Sequence, residues 1–146
     1  RLQRNGFVDV VAERKMVDEA VARFRVKTPS IDQIIRNLSG GNQQKVILGK
    51  WLATEPAVLL LDEPTRGIDV NAKEEIYSLI HELSDSGLAV IVVSSELPEI
   101  LVLADRVMVM CEGRKTAEFS RAEANEESIM QAALPQESET LASASL

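Results

Sequence analysis

The chain has 146 residues, of which 45% are hydrophobic and 27% are charged, as in ordinary globular domains. This length favours one domain whose core needs no disulfide or metal, and a single cysteine, Cys111, rules out an internal disulfide. The longest uninterrupted apolar run covers only residues 88–93, whereas a membrane-spanning helix needs about 20 residues. We therefore expect a chain that does not itself cross a membrane.

The charge is unevenly distributed along the chain. Residues 1–36 contain eight basic and five acidic residues, whereas residues 37–146 contain eight basic and 18 acidic residues. A strongly acidic segment is a poor surface for a phosphate backbone, so no nucleic-acid partner is expected. Individual phosphate groups could still be held by backbone amides.

Three helices are predicted in the first third of the chain. Apolar residues at helical spacing predict a helix over 8–24, and a second, short helix is expected over 31–37 with Ser30 or Asp32 as its cap. A third helix should follow residues 38–42. Its apolar face, which includes a tryptophan expected in the core, consists of Ile47, Leu48, Trp51 and Leu52.

The middle of the chain alternates between strand and helix patterns. The apolar runs 57–61 and 88–93 predict parallel strands that are buried on both faces. Between them, apolar residues on one stripe predict a helix over 71–84. This alternation favours an α/β fold with a parallel sheet.

The last third of the chain predicts smaller elements. A short helix with Pro98 in its first turn should precede two strands, 107–111 and 115–119, which flank a Glu112–Gly113 turn. A short amphipathic helix is expected over 126–134. Residues 136–146 have no periodicity and are rich in Ser, Glu and Ala, which predicts a disordered tail.

Two consecutive carboxylates follow the first predicted strand, in the sequence Leu61-Asp62-Glu63-Pro64. In open parallel sheets, ligands bind beyond the carboxyl ends of the strands. One carboxylate at such a place can hold Mg²⁺ through water while the other orients or deprotonates a nucleophilic water. A solvated acidic turn is the alternative, although the five apolar residues before Asp62 favour the chemical interpretation.

A second motif is Leu38-Ser39-Gly40-Gly41-Asn42-Gln43-Gln44-Lys45. Two glycines allow a neighbouring segment to come close, and Ser39 is a candidate cap for the helix that follows. The amides at the start of that helix could bind an anion. Taken by itself, the motif could also be an ordinary helix cap after a turn.

Together, the segments Leu38–Lys45 and Val58–Asp69 resemble the ATP-binding cassette (ABC) family of ATPases, and the resemblance extends over residues 5–134. It implies an α/β fold that corresponds to the C-terminal part of a P-loop NTPase core with parallel strands. Residues 1–37 would be the end of the helical subdomain. Residues 38–135 would be the second half of the nucleotide-binding core, with the signature, Walker B, D-loop and a degenerate switch loop, and residues 136–146 the disordered tail.

The resemblance implies ATP and Mg²⁺ as cofactors and gives this chain part of one ATP site. Asp62 corresponds to the Mg²⁺-associated aspartate, and Glu63 to the catalytic carboxylate. Ser95 stands where the family usually has a histidine that contacts the γ-phosphate. Because a serine hydroxyl cannot become cationic, we expect this site to be the weaker one.

The resemblance also gives this chain part of the opposite ATP site. The signature residues contact ATP held by a second cassette, and Asp69 lies in the loop that links the two sites. The residues of the signature segment that the resemblance implies would contact the nucleotide are Ser39, Gly40, Gly41, Asn42 and Gln43. No Gly-x-x-x-x-Gly-Lys-Ser/Thr loop occurs in the chain; it is expected upstream of Arg1, and the isolated chain is therefore expected to be inactive.

The sequences of residues 42–45 and 64–69 are most similar to the carboxy-terminal half of tandem ATPases that drive ribose-type monosaccharide import. This similarity implies a second cassette and membrane permease subunits as partners, a periplasmic sugar-binding protein as an indirect one, and a peripheral position on the cytoplasmic face of the membrane. Two alternatives stay open. One is a soluble ABC ATPase acting on DNA or ribosomes, although no long coiled coil is visible; the other is a non-catalytic, truncated cassette that serves as an interaction module.

Overall fold

The computed structural model describes residues 3–4 and 7–135. The chain divides into two compact units, Arg1–Ser95 and Glu96–Leu146. The predicted disordered tail, 136–146, lies outside the described residues, and the subdomain boundary after residue 37 stays a prediction. Within the described part, every helix is too short or too polar to cross a membrane.

The elements in chain order are β1 (Gln3–Arg4), β2 (Phe7–Val8), α1 (Val10–Arg23), a 3-10 turn (Ile35–Asn37), α2 (Gly40–Leu52), β3 (Val58–Asp62), α3 (Val70–Asp85), β4 (Ala89–Val93), α4 (Leu97–Leu103), β5 (Arg106–Cys111), β6 (Arg114–Ser120) and α5 (Glu126–Ala133).

The first unit is organised around a parallel strand pair. β3 and β4 pair in parallel, in a register that runs from Val58 opposite Ala89 to Asp62 opposite Val93. Helix α3 connects the two strands and packs against β4 and α2. The predicted α/β arrangement is thereby confirmed, and the two strands end at the same level.

Only one face of this strand pair is buried. Leu59 and Leu61 of β3 are buried, as are four residues on one stripe of α3, Ile76, Leu79, Ile80 and Leu83. The residues that alternate with them in the strands are exposed: Val58, Leu60, Ile91 and Val93. The prediction that both faces are buried is therefore wrong for the described residues, because the core that includes α3 lies on one face only.

Helix α2 buries only part of the face that was predicted. Leu48 is buried as predicted, together with Gly41, Lys45 and Gly49, whereas Trp51, predicted in the core, is 55% exposed. A Cβ on Gly49 would lie 3.0 Å from Phe24 Cδ2. The small residues bring neighbouring elements close to the helix, so the glycine stripe packs and the bulky residues Ile47 and Trp51 lie outside.

The predicted helix over 31–37 is limited to one 3-10 turn, Ile35–Asn37, which has no side-chain cap. Ser30 Oγ instead accepts a hydrogen bond from the Asp32 amide at 3.1 Å. This local bond between side chain and backbone competes with helix formation at residues 30–32.

The second unit is a β-hairpin covered by a helix. β5 and β6 pair in antiparallel fashion around Glu112 and Gly113, which both have positive φ, as expected for a tight hairpin turn. Helix α5 begins with a capping box at Asn125. Val107, Val109 and Ile129 form the buried centre of this unit. The predicted hairpin and helix are confirmed.

Candidate functional site

The carboxyl ends of β3 and β4 hold the two predicted carboxylates. Asp62 is the last residue of β3 and is exposed. The Glu63 amide donates to the Val93 carbonyl at 2.8 Å, which extends the parallel pairing by one residue. The Ser95 amide donates to Glu63 Oε1 at 3.0 Å. The structure therefore brings Asp62, Glu63 and Ser95 together, and a backbone donor from the neighbouring strand end fixes the Glu63 carboxylate.

The turn after Glu63 is built from short-range backbone bonds. The Arg66 amide donates to the Glu63 carbonyl at 3.1 Å, and the Ile68 amide donates to the Thr65 carbonyl at 3.3 Å. Asp69 then occupies the N-cap of α3, where its carboxylate accepts from the Ala72 amide at 2.9 Å. Asp69 has a structural task within this chain: it fixes where α3 begins.

The signature segment begins helix α2. Ser39 occupies the N-cap position, but its side chain makes no capping hydrogen bond, contrary to the prediction. Its Oγ instead accepts from Asn42 Nδ2 at 2.8 Å. The Gln43 side chain donates to the Leu38 carbonyl at 2.8 Å. The exposed Ser39 hydroxyl thus stands beside the positive end of the helix dipole.

The glycines of the signature segment are packing positions. A Cβ on Gly41 would lie 2.6 Å from Ala72 Cβ, and a Cβ on Gly40 would lie 3.0 Å from Ile68 Cγ2. The start of α2 therefore lies directly against the segment Ile68–Ala72 at the start of α3. The close approach that the two glycines predicted is confirmed, and it joins the signature segment to the loop that contains Asp69.

A buried cation under the signature helix was missed by the sequence interpretation. Lys45 is only 2% exposed, and its Nζ donates to Glu75 Oε2 at 2.6 Å and to the Arg25 carbonyl at 3.2 Å. Lys27 Nζ lies 3.2 Å from Glu75 Oε1. The hydrogen bond from Lys45, followed by that from Lys27, lowers the pKa of Glu75. The available signal was the position of Lys45 on the same helical stripe as Gly41 and Leu48.

Asp62 is suited to be one ligand of a magnesium ion. Among the described residues, no three His, Cys, Asp or Glu side chains are grouped so that they could hold a metal ion. Mg²⁺ is commonly bound by one or two carboxylates together with phosphate oxygens and water. An exposed aspartate at the carboxyl end of β3, a strand with one buried face, fits this type of partial ligand set.

Several known proteins are similar to this chain in sequence. The ABC transporter family matches residues 2–66 of the chain. The ribose import ATP-binding protein of Rhodopirellula baltica is 67% identical over 133 residues, which are 91% of this chain and 26% of that protein. The arabinose import ATP-binding protein of Rhizobium meliloti is 56% identical over 138 residues, or 94% of this chain and 27% of that protein. The chain thus spans about a quarter of the length of these curated relatives.

A solved structure shares the fold. An ATP-binding cassette, determined as a dimer in a post-hydrolysis state with ADP and Pi, superposes with a TM-score of 0.68 and 25% identity. The match covers 81% of this chain and 51% of that one. The strand ends of β3 and β4 and the helix α2 that begins at the signature segment are consistent with these matches. The chain belongs to the ABC transporter family and is part of an ATP-binding domain.

Proposed function

We propose that this chain is part of the ATP-hydrolysing subunit of an importer for a monosaccharide such as ribose. The observation that carries the proposal is the hydrogen bond from the Ser95 amide to the Glu63 carboxylate, beside the exposed Asp62, where two parallel strands end. The high identity to ribose and arabinose import proteins supports the sugar class.

Glu63 orients and deprotonates the attacking water in this proposal. A carboxylate has about four lone-pair positions, so Glu63 can keep the Ser95 bond through Oε1 and still bind water. A fixed carboxylate loses little freedom when the water arrives, which is what positioning catalysis requires. Phosphoryl transfer depends almost entirely on such positioning and on charge stabilisation.

Asp62 would hold Mg²⁺, and the bound ion would supply positive charge to stabilise the phosphoryl group being transferred. Ser39, Gly40 and Gly41 face the ATP of a second cassette, together with Asn42 and Gln43 of the same segment. The partners are that cassette and membrane permease subunits, with a periplasmic sugar-binding protein acting indirectly, at the cytoplasmic face of the membrane.

The proposal also assigns unequal strength to the two ATP sites. Ser95 cannot supply the positive charge that a histidine could bring to the γ-phosphate, so the site containing Glu63 is the weaker one. The site completed by Ser39 should then carry most of the turnover. In the isolated chain, which lacks a phosphate-binding Gly-Lys-Ser/Thr loop, ATP hydrolysis should be negligible.

The test uses the complete subunit assembled with its membrane partners in lipid vesicles. ATP hydrolysis and monosaccharide uptake are measured for Ser39→Ala, Glu63→Gln and the control Glu74→Gln, which alters an exposed glutamate on α3. Removing one transition-state donor costs roughly 10²–10³-fold, so Ser39→Ala should lose at least tenfold. Glu63→Gln should lose much less, and Glu74→Gln should lose nothing.

Two results would contradict the proposal in different ways. If Glu63→Gln abolishes turnover while Ser39→Ala is tolerated, the strong and weak sites are reversed. If the assembled, folded complex hydrolyses no ATP with any monosaccharide, the alternative of a non-catalytic interaction module is favoured. Ser39→Ala is preferable to any substitution of Gly41, because a side chain there would disturb the packing against Ala72.

A further inference from the structure

Asn42 connects two backbone segments through opposite ends of its side-chain amide. Its Oδ1 accepts a hydrogen bond from the Lys27 amide at 2.8 Å. Its Nδ2 donates to Ser39 Oγ at 2.8 Å. The segment that follows α1 is thereby linked to the serine of the signature segment by one planar group.

The direction of each bond in this chain is determined by chemistry. A backbone N–H can only donate, so the Asn42 oxygen must face Lys27 and the Asn42 NH₂ must face Ser39. An NH₂ group can only donate, so Ser39 Oγ must accept. The single hydroxyl proton of Ser39 must therefore point away from Asn42, available to an acceptor such as a phosphate oxygen.

The Lys27 amide that sets this direction is itself held in place. Lys45 Nζ donates to the Arg25 carbonyl at 3.2 Å, and Lys27 Nζ lies 3.2 Å from Glu75 Oε1. The Arg25 guanidinium lies 2.8 Å from Glu82 Oε1. Helices α2 and α3 thus fix residues 25–27 at several points, which gives the Lys27 N–H a stable orientation.

We propose that Asn42 is a positioning residue that presets the Ser39 hydroxyl as a hydrogen-bond donor toward an anionic phosphate. This inference rests on the proposed role of Ser39 at the nucleotide. It changes the expected role of Asn42, which acts on nucleotide through Ser39 instead of by contact. The hydrogen bonds run in one direction, from the Lys27 amide through Asn42 to Ser39, and bonds aligned in this way polarise one another.

The decisive variant is Asn42→Asp, which keeps the size and shape of the side chain. One Asp oxygen can still accept from the Lys27 amide, but the other must now accept from Ser39, so the hydroxyl proton turns inward. Ser39 then presents lone pairs to the phosphate. Asn42→Ala is the matched control, because it removes the bond to Lys27 and leaves the hydroxyl free to rotate.

The readouts are equilibrium binding of ATP and ADP to the assembled transporter and hydrogen exchange of the Lys27 amide. Loss of a hydrogen bond to a charged group corresponds to roughly 10- to 100-fold in affinity. We expect Asn42→Asp to weaken ATP binding by this factor, Asn42→Ala by less than tenfold, and neither to change ADP binding, since ADP has no γ-phosphate. Lys27 exchange should accelerate in Asn42→Ala and stay slow in Asn42→Asp.

Combining Asn42→Asp with Ser39→Ala separates the effect of the direction of the Ser39 hydroxyl from a direct effect of the added negative charge. If Asn42 acts through Ser39, most of the Asn42→Asp penalty disappears in Ser39→Ala/Asn42→Asp. If the full loss of ATP affinity persists in the double variant, it is a direct effect of the added charge. This result would overturn the proposed role of Asn42 and leave the proposed role of Ser39 intact. If Ser39→Ala by itself leaves ATP affinity unchanged, the proposed phosphate contact of Ser39 is wrong, and the role of Asn42 toward phosphate is lost with it.

Discussion

The signature segment and the end of β3 bear the candidate site residues of this chain in contrasting settings. Gly41 is buried against Ala72, and Lys45 beneath it is closed off from solvent. Asp62 is exposed, and Glu63 is half-buried with its carboxylate held by one backbone amide. Substitutions at the buried positions Gly41 and Lys45 therefore change the fold and the chemistry together, whereas substitutions at the strand end can change the chemistry alone.

The largest effect on stability should come from Gly41→Ala. The added Cβ would lie 2.6 Å from Ala72 Cβ, and overpacking of this kind costs about 3 kcal/mol, of which better helix propensity returns about 1 kcal/mol. The free energy of unfolding, measured by chemical denaturation, should fall by about 2 kcal/mol. The double variant Gly41→Ala/Ala72→Gly should be more stable than Gly41→Ala; if it is not, the contact with Ala72 does not explain the glycine.

Lys45→Met should have the next largest effect. Loss of a charged hydrogen bond costs about 1.5–3 kcal/mol, and we expect the low end because the Glu75 side chain is 45% exposed and so partly screened by solvent. Denaturation at neutral pH measures this loss. Lys45→Arg tests whether charge alone suffices, and wild-type stability in Lys45→Met would contradict the assigned role of the buried cation.

The same ion pair predicts a dependence on pH. Lys45 and Lys27 lower the pKa of Glu75 below its ordinary value of 4.5, so the unfolded state binds a proton before the folded state does. The stabilisation is complete above 4.5 and is lost as the pH falls through the lower, folded pKa. The Glu75→Gln variant should therefore lose less stability than wild type when the pH is lowered from neutral to about 3. Thermal unfolding measured across this range checks this, and an equal loss of stability in both proteins would contradict it.

A smaller effect is expected at Asp69. Its carboxylate caps α3 through the Ala72 amide, and removal of an N-cap side chain costs about 1 kcal/mol. Asp69→Ala should therefore be destabilised by this amount in thermal unfolding. Asp69→Ser, which can still cap the helix, should stay within a few tenths of a kcal/mol of wild type.

Glu63→Gln should have the smallest effect on stability. The glutamine oxygen can still accept from the Ser95 amide, so the free energy of unfolding should change by less than about 0.5 kcal/mol. Denaturation of this variant is thus the sharpest check of the contrast between the two regions. A loss as large as that of Gly41→Ala would mean that the carboxylate is part of the framework.

The sequence predicts most of the elements of this fold because their periodicity is strong. The single apolar stripe of α3 and the apolar runs of β3 and β4 lead directly to the observed helix and parallel pair. The packing face of α2 could not be predicted in the same way. Whether a lysine lies inside depends on its partner, and Glu75 is 30 residues away from Lys45.

The candidate site is predictable to a similar degree. The position of Asp62 and Glu63 at a strand end follows from the apolar run before them. The bond between Ser95 and Glu63 does not, because it depends on the register of β3 with β4, which places both strand ends at one level. The link from Lys27 to Asn42 depends likewise on how the segment after α1 lies against α2.

The backbone conformation of Glu63 limits which substitutions can stabilise this chain without loss of function. Glu63 has a φ of +47°, a conformation that glycine adopts freely and other residues adopt at a cost. Among the residues that the structure describes, the other non-glycine residues with positive φ follow a helix end or lie in a hairpin turn: Arg25, Glu55 and Glu112. Selection for stability alone would favour glycine directly after β3. The glutamate at this position therefore lowers the stability of the fold at the residue that is proposed to activate water. Substitutions that stabilise this chain without loss of function should be sought at other positions.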